Sequence, residues 1–150
     1  MTKFIIAFCI VPLLAACAAP NATTSSTATS GAPVSCTGDT GTPMRIFELY
    51  FGRAVKGRRD VTDQEWNEFR DKVITANLPE GYTVLDGTGA WLNPDTHLTK
   101  TEHMKLLIAA EPDTPASLAA IQRVRRAYET TYKQKSVGVT THSGCGNFND

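Results

Sequence analysis

The sequence has no excess of charge of either sign, since 15 basic residues balance 15 acidic residues. Proteins that bind nucleic acid or anionic lipid by electrostatics usually carry a basic surplus, because the phosphates of the ligand must be neutralised. We therefore expect no nucleic-acid partner.

A second long apolar run is also missing. The single such run, Phe4 to Leu14, is shorter than the ~20 residues that a helix needs to cross a bilayer. It follows Lys3 and precedes small residues, which is the layout of a secretory signal. We expect residues 1–16 to be a signal peptide and the remainder of the chain to be exported.

The end of this run, Leu14-Ala15-Ala16-Cys17, resembles the lipobox of bacterial lipoproteins. The resemblance implies cleavage before Cys17 and attachment of palmitate-like acyl chains to it. Two or more chains hold a protein stably on a membrane. Ala18 stands where an inner-membrane retention signal has aspartate, so the expected location is the periplasmic face of the outer membrane. An ordinary secretory signal is the alternative.

Cysteine is scarce, with four residues in the whole chain. Cys9 leaves with the signal peptide and Cys17 carries lipid, so Cys36 and Cys145 remain. Two cysteines left over in an oxidising compartment usually pair. We expect a disulfide between them, with two free thiols or a metal pair as the alternatives.

Bulky and charged residues are absent from most of residues 17–35, where Ser, Thr, Ala and Pro dominate. Such a segment cannot bury enough apolar surface to offset the entropy lost on ordering, so it is expected to be a flexible tether. Residues 36–150 then form a single domain of ordinary length.

The apolar pattern of this domain predicts the order β-α-β-β-α-β. The predicted strands are 45–51, 82–86, 104–109 and 136–141, and the predicted helices begin at Thr62 and Thr114. This order is typical of a ferredoxin-like α+β sheet with both helices on one face and with the first and last strands adjacent. That adjacency would bring Cys36 and Cys145 together.

Several positions in these elements carry specific expectations. Thr62 and Glu65 have the spacing of a capping box, and Trp66 behind them is expected in the core. Trp91 follows the predicted turn Gly87-Thr88-Gly89 and is expected at a surface or an interface. The predicted apolar stripe of the second helix is Leu118, Ile121, Val124, Tyr128 and Tyr132.

Three segments, residues 48–53 (ELYFGR), 61–66 (VTDQEW) and 83–91 (TVLDGTGAW), resemble a family of small secreted bacterial proteins known as a domain of unknown function. The resemblance covers residues 44–141. It implies one compact exported domain and no particular activity or ligand.

A catalytic group is conceivable on the first strand. Alternation places Glu48 and Tyr50 away from the helices, and Asp86 with His103 or Lys105 could share that side. A carboxylate, a phenol and an imidazole could transfer protons. The alternatives are a solvated polar face, or a face that pairs with a second copy through Ile46, Val84 and Leu107.

A basic loop follows the first strand. Arg53 and Arg58, together with Trp91, are candidate ligand-binding residues, because arginine can hold carboxylate or phosphate. The alternative is a loop that is solvated or paired with Asp60 and Asp63.

Metal-binding and nucleotide-binding patterns are missing. The histidines, His97, His103 and His142, lie on different elements, so no metal and no cofactor are expected. The leading hypothesis is a membrane-anchored interaction module that binds a second copy or another envelope protein. The alternative is a small cofactor-independent enzyme that uses the polar sheet residues.

Overall fold

The computed structural model describes residues 34–38 and 41–148. The predicted signal peptide, Cys17 and the tether before residue 34 lie outside the described residues. The chain from Pro33 to Asp150 forms one compact unit. Within the described part, no helix is both long enough and apolar enough to cross a bilayer.

The domain is an α+β unit with one four-stranded antiparallel sheet and two helices. The strands are β1 (Thr42–Gly52), β2 (Thr83–Leu92), β3 (Thr99–Pro112) and β4 (Gly138–Gly146), in the order β2-β3-β1-β4. Helix α1 spans Asp63–Phe69 and continues through a π-helical turn, Arg70–Ile74, into a short α-helical turn, Thr75–Asn77. Helix α2 spans Pro115–Tyr132. The predicted pairing of the first and last strands is confirmed.

Strand β2 is longer than the sequence predicted. The prediction of a turn at Gly87-Thr88-Gly89 is wrong, because these residues pair with β3 and the strand continues to Leu92. A Cβ atom added at Gly87 would lie 3.4 Å from Cγ of Met104, in ordinary van der Waals contact, so the Met104 side chain lies against this glycine across the sheet. The connection to β3 lies at Asn93–Leu98 instead.

The predicted start of α1 is confirmed. The Thr62 hydroxyl accepts a hydrogen bond from the Glu65 amide at 3.2 Å, and the Glu65 carboxylate accepts one from the Thr62 amide at 2.8 Å. This backbone hydrogen bond, followed by that from Arg58, lowers the pKa of Glu65 to about 2. The carboxylate therefore stays ionised at the positive end of the helix, where negative charge is stabilising.

An aromatic cluster fills the space between the helices and one sheet face. Phe51 is fully buried, and its ring centroid lies 5.2 Å from that of Trp66 and 4.9 Å from that of Tyr128. The placement of Trp66 in the core is therefore confirmed. Leu118 was placed wrongly, since it is 42% exposed while Ser117 is buried. The buried stripe of α2 runs through position 117, and the next residue points about 100° away.

The disulfide between Cys36 and Cys145 is present, with a Cα–Cα distance of 5.7 Å and a sequence separation of 109. Cys145 lies inside β4, opposite Pro43, rather than after the strand as predicted. The bond joins the segment before β1 to the last strand, so both ends of the domain are held at one edge of the sheet.

Candidate functional site

Glu48 and Tyr50 lie on the sheet face away from the helices, as predicted. The Glu48 carboxylate accepts hydrogen bonds from the Thr140 hydroxyl at 2.7 Å and from the Tyr50 hydroxyl at 2.9 Å. These two bonds, in that order, lower the pKa of Glu48, and the nearby charge of His142 adds to the effect. Glu48 is thus held as a carboxylate that already has partners, which makes it a weak proton acceptor.

The predicted grouping of Asp86 and His103 with Glu48 is wrong. Asp86 pairs with Lys105 across β2 and β3, and Lys105 pairs with Phe51, so these residues share the face that the helices cover. His103 lies two residues before Lys105 on β3, so its side chain is on the same face of the sheet. The sequence did not reveal the register between strands, and a one-residue change in register moves every side chain to the other face.

Asp86 has a structural partner instead. The Lys105 ammonium group is buried and contacts Asp86 at 2.5 Å and Asp63 at 3.2 Å. Asp63 also pairs with Arg53 at 3.0 Å. The result is a chain of alternating charges that links β1, β2 and β3 to the first turn of α1. Hydrogen bonding from Lys105, followed by the charge of Arg53, lowers the pKa of Asp63.

The basic loop is largely occupied by internal contacts. Arg53 donates to the carbonyl of Val61 at 2.6 Å in addition to its ion pair with Asp63. The Arg58 guanidinium donates to both oxygens of the Glu65 carboxylate, at 2.7 and 2.9 Å, and Arg59 donates to one of them at 3.0 Å. This arrangement matches the alternative of acidic partners, although Glu65 takes the place of Asp60. The proposed ligand-binding role of Arg53 and Arg58 stays a prediction.

The sheet face without helices is apolar at its centre. We call it the helix-free face, and it comprises Met44, Ile46, Glu48 and Tyr50 of β1, Leu85 and Gly87 of β2, Met104, Leu106, Ile108 and Ala110 of β3, and Gly138, Thr140, His142 and Gly144 of β4. Val84 and Leu107 were wrongly expected here, since Leu107 is fully buried under the helices. Leu85, one position after Val84, and Leu106, one position before Leu107, take their place.

Glycines in the edge strands flatten this face. A Cβ atom at Gly144 would lie 2.7 Å from Cδ1 of Ile46, and one at Gly138 would lie 3.3 Å from Cβ of Tyr50. The long side chains of the central strands therefore lie across the edges of the sheet instead of standing above it. Trp91, which is 45% exposed near the end of β2, has the surface position that the sequence predicted.

A cleft of about 820 Å³ opens at the edge of β3. Strand β2 begins at Thr83, opposite Ile108, so residues 109–112 of β3 have no neighbour on that side. The segment before β2 and the first turns of α2 form the walls of the gap. We call it the Glu111 cleft. The residues that line it include Met44, Tyr82, Ile108, Glu111, Arg123 and Phe148.

Glu111 is the functional candidate that the sequence did not suggest. It is 7% exposed, and its Oε1 atom has no hydrogen-bond partner among the described residues. Alternation along β3 places it on the same face as the buried Leu107 and Ala109. A carboxylate in phase with core positions is the sequence signal that could have identified it.

The three histidines do not meet in space as a metal site. Across residues 34–38 and 41–148, no group of three or more His, Cys, Asp or Glu side chains is arranged to hold a metal ion. A smaller cleft of about 210 Å³ at the other end of the sheet includes His103, Asp60 and Glu102. Burial, followed by the charge of Asp60, raises the pKa of Glu102.

Two solved structures of a phage SAM lyase are similar in fold to this chain. The lyase in complex with S-methyl-5'-thioadenosine has a TM-score of 0.51 and 14% sequence identity, and the match covers 77% of this chain and 100% of the lyase chain. The apo lyase has a TM-score of 0.49 at 14% identity, with the same coverage. At this identity the likeness shows the fold alone. No curated protein matches the sequence significantly.

A family model matches residues 47–148, and its description is "Protein of unknown function (DUF3574)". The matched segment begins inside β1 and extends past β4, so it contains both helices, Glu111 and all of the sheet except residues 42–46. The resemblance to a family of unknown function is thereby confirmed. Because the match covers more than half of the sequence, this chain belongs to the DUF3574 family.

Proposed function

We propose that this chain is an exported, lipid-anchored envelope protein whose domain is an interaction module, and that its partner is a second copy of the same chain. The observation that carries the proposal is the helix-free face, where apolar side chains of three strands lie in contact with solvent. The alternative with an active site on this face has less support, because neither Glu48 nor Tyr50 lines a cleft described above.

The proposed cellular location rests on the sequence of residues 1–17, where a positively charged start, a short apolar run and Cys17 follow one another. Acylation of Cys17 would place the domain at the periplasmic face of the outer membrane. The two domain cysteines, paired with each other, agree with export to an oxidising compartment.

The anchor can be tested by labelling with an alkyne-modified palmitate in a Gram-negative host. We expect the wild-type chain to be labelled and to fractionate with membranes, while Cys17→Ser is unlabelled because the acceptor thiol is gone. Cys9→Ser is the matched control, since Cys9 lies in the segment that is removed. Label on Cys17→Ser would contradict the proposal.

We also infer that the sheet is ferredoxin-like. Read from its other edge, the strand order is β4-β1-β3-β2. Helix α1 connects β1 to β2 and α2 connects β3 to β4, and in each case another strand lies between the two. This is the order expected from two interleaved β-α-β units. Both helices then pack on one face, which leaves the opposite face available for a partner.

A second copy suits the helix-free face because the face is apolar at its centre apart from the Glu48 carboxylate. Leu85, Leu106 and Tyr50 form one row across the sheet, and Ile108 lies in the next row. The Glu48 carboxylate is satisfied within the face by Tyr50 and its neighbour on β4, so it needs no cation from a partner. An identical apolar surface is complementary to it under twofold symmetry.

The size of the face is adequate for a modest dimer. Four strands at a spacing of ~4.8 Å and nine residues of ~3.3 Å each give a flat area of about 600 Å² per copy. Two such faces bury about 1,200 Å² in total, which lies at the lower end of specific protein interfaces. We therefore expect a reversible dimer that depends on protein concentration.

Two exposed leucines provide a matched test. Leu85 is 48% exposed on the helix-free face, and Leu118 is 42% exposed on α2. We expect Leu85→Lys to weaken dimerisation at least tenfold, because the interface would bury an unpaired charge, and Leu118→Lys to leave it unchanged. Sedimentation velocity over a range of concentrations measures both, on the chain from residue 34, which contains the whole core and the disulfide.

A wild-type domain that remains monomeric at all concentrations would contradict the homodimer, and the search would move to a different envelope protein. Equal weakening by both lysine variants would place the interface elsewhere. The lyase activity of the fold neighbour is not carried over to this chain, because 14% identity supports the shared fold only.

A further inference from the structure

The Glu111 cleft contains a buried acid without a compensating partner. The Glu111 side chain faces the covered side of the sheet and the residue is only 7% exposed. Its Oε1 atom nevertheless has no hydrogen-bond partner among the described residues. Buried polar atoms in folded proteins are nearly always paired. An exception that lines an open cleft indicates that the partner, either water or a ligand, comes from outside the chain.

The cations nearest in the fold are already engaged. Arg45 lies directly opposite Glu111 in the β1–β3 ladder, but both of its hydrogen bonds, each 2.8 Å, go to the Asp113 carboxylate. Arg123 lines the cleft, and its Nε donates to the Asn77 side chain at 2.7 Å. Neither arginine forms an ion pair with Glu111 in the part of the chain that the structure describes.

The environment of Glu111 is costly to the folded state. Burial, followed by the charge of Glu80, raises the pKa of Glu111. A cationic donor supplied by a ligand would relieve both effects, because an opposite charge favours the ionised carboxylate. Perturbed carboxylates that line clefts are concentrated at binding and catalytic sites.

The remaining walls specify the rest of the ligand. Tyr82 and Ala120, which pack with the core, present aromatic and apolar surface on the covered side that Glu111 faces, while Met44 and Ile108 line the cleft from the helix-free face. The volume, about 820 Å³, lies within the range of ~300–1,000 Å³ that is usual for small-molecule sites. A small organic molecule with an apolar body and one cationic end fits both observations.

We propose that the Glu111 cleft binds a small molecule in which a protonated amine is joined to an apolar or aromatic body, with the Glu111 carboxylate accepting hydrogen bonds from the ammonium group. The cleft shares Met44, Ile108 and Ala110 with the helix-free face, but it does not include Leu85. It assigns to the domain a ligand class that neither the family nor the fold implies.

Three probes of the same shape test the proposal. 2-Phenylethylamine carries an ammonium group, 2-phenylethanol is neutral and 3-phenylpropionate is anionic. In an NMR titration of the labelled domain, we expect the amine to shift the amide signals of residues 108–112 and 116–120. The alcohol should bind more weakly than the amine by a factor of about ten or more. Equal binding of all three probes, or no shift with any of them, would overturn the proposal.

Glu111→Gln isolates the carboxylate, since it removes the charge and keeps the shape. We expect it to reduce binding of 2-phenylethylamine at least tenfold, as charged hydrogen bonds typically contribute. Glu68→Gln, an exposed carboxylate on α1 that pairs with Lys72, is the control and should bind as the wild type does. Unchanged binding by Glu111→Gln would exclude a role for this acid.

Thermal unfolding separates a binding residue from a structural one. Because the pKa of Glu111 is raised on folding, its ionisation lowers stability once the pH exceeds the ordinary value of about 4.3. Glu111→Gln should therefore have a higher Tm than the wild type near pH 7, and the difference should shrink toward about pH 4. A lower Tm would show that Glu111 supports the fold and would contradict the proposal. Sedimentation of the same variant separates loss of the ligand from loss of the dimer.

Discussion

Cys145→Ser is expected to lower the free energy of unfolding by about 4–5 kcal/mol, which is a large part of the stability of a small domain. The bond with Cys36 closes a loop whose ends are 109 residues apart. In the chain-entropy model, a loop of this length removes much of the freedom of the unfolded chain. A drop in Tm of about 15 °C or more should accompany the loss.

A double-mutant comparison makes this prediction specific. Cys36→Ser should have the same effect as Cys145→Ser, and the double variant should be no less stable than either single variant, because one bond is lost in all three. Urea unfolding followed by tryptophan fluorescence measures the three values. Additive losses would mean that each cysteine contributes separately through packing, and a loss below about 1 kcal/mol would contradict the loop argument.

Phe51→Ala is expected to reduce the free energy of unfolding by about 3–5 kcal/mol. The ring is fully buried at the centre of the aromatic cluster, with Phe69 at 6.4 Å in addition to Trp66 and Tyr128. The Tyr128 hydroxyl also donates to the carbonyl of Gly52, at 3.0 Å, so the end of β1 is held from both sides. A cavity here would loosen the contact of the sheet with both helices.

Phe148→Ala is the matched control, because Phe148 is 73% exposed. Its effect on the free energy of unfolding should stay within about 0.5 kcal/mol, as is usual for surface substitutions. Chemical denaturation of both alanine variants provides the comparison. If Phe51→Ala cost no more than Phe148→Ala, the aromatic cluster would not be the main source of stability in this core.

The two proposed surfaces use different physical chemistry. The helix-free face is apolar and internally satisfied, so the favourable term in dimer formation is burial of area. The Glu111 cleft holds a charge that lacks a partner, so the favourable term there is electrostatic and depends on the protonation state of one carboxylate. Raising the salt concentration should therefore weaken amine binding more than dimerisation.

Local patterns in the sequence identified several features correctly. The capping box of Thr62 and Glu65 depends only on residues three apart, and it is present as predicted. The placement of Trp66 followed from the apolar stripe of that helix. Trp91 is exposed as expected, although the turn from which this was inferred is absent. The disulfide followed from counting cysteines, because only two remained after the signal and the lipid site were assigned.

Strand register could not be obtained in this way. Asp86 and His103 were assigned to the face of Glu48, and the ladder between β2 and β3 places them on the other one. Gly87 and Gly89 indicated a turn, but in the structure Met104 lies across them and the strand continues. Both errors arise because a local pattern cannot specify which residues of a distant strand lie opposite.

The sequence by itself determined that the chain contains one α+β domain with two capped helices, an apolar core and a pair of cysteines, since each depends on composition or on neighbours a few residues apart. Tertiary structure alone decided which side chains share a face and which carboxylate has no partner. Glu111 became a candidate site only because β2 begins at Thr83 while β3 continues past it and Arg45 turns to Asp113. Those facts depend on contacts between residues far apart in the chain, and no local pattern carries them.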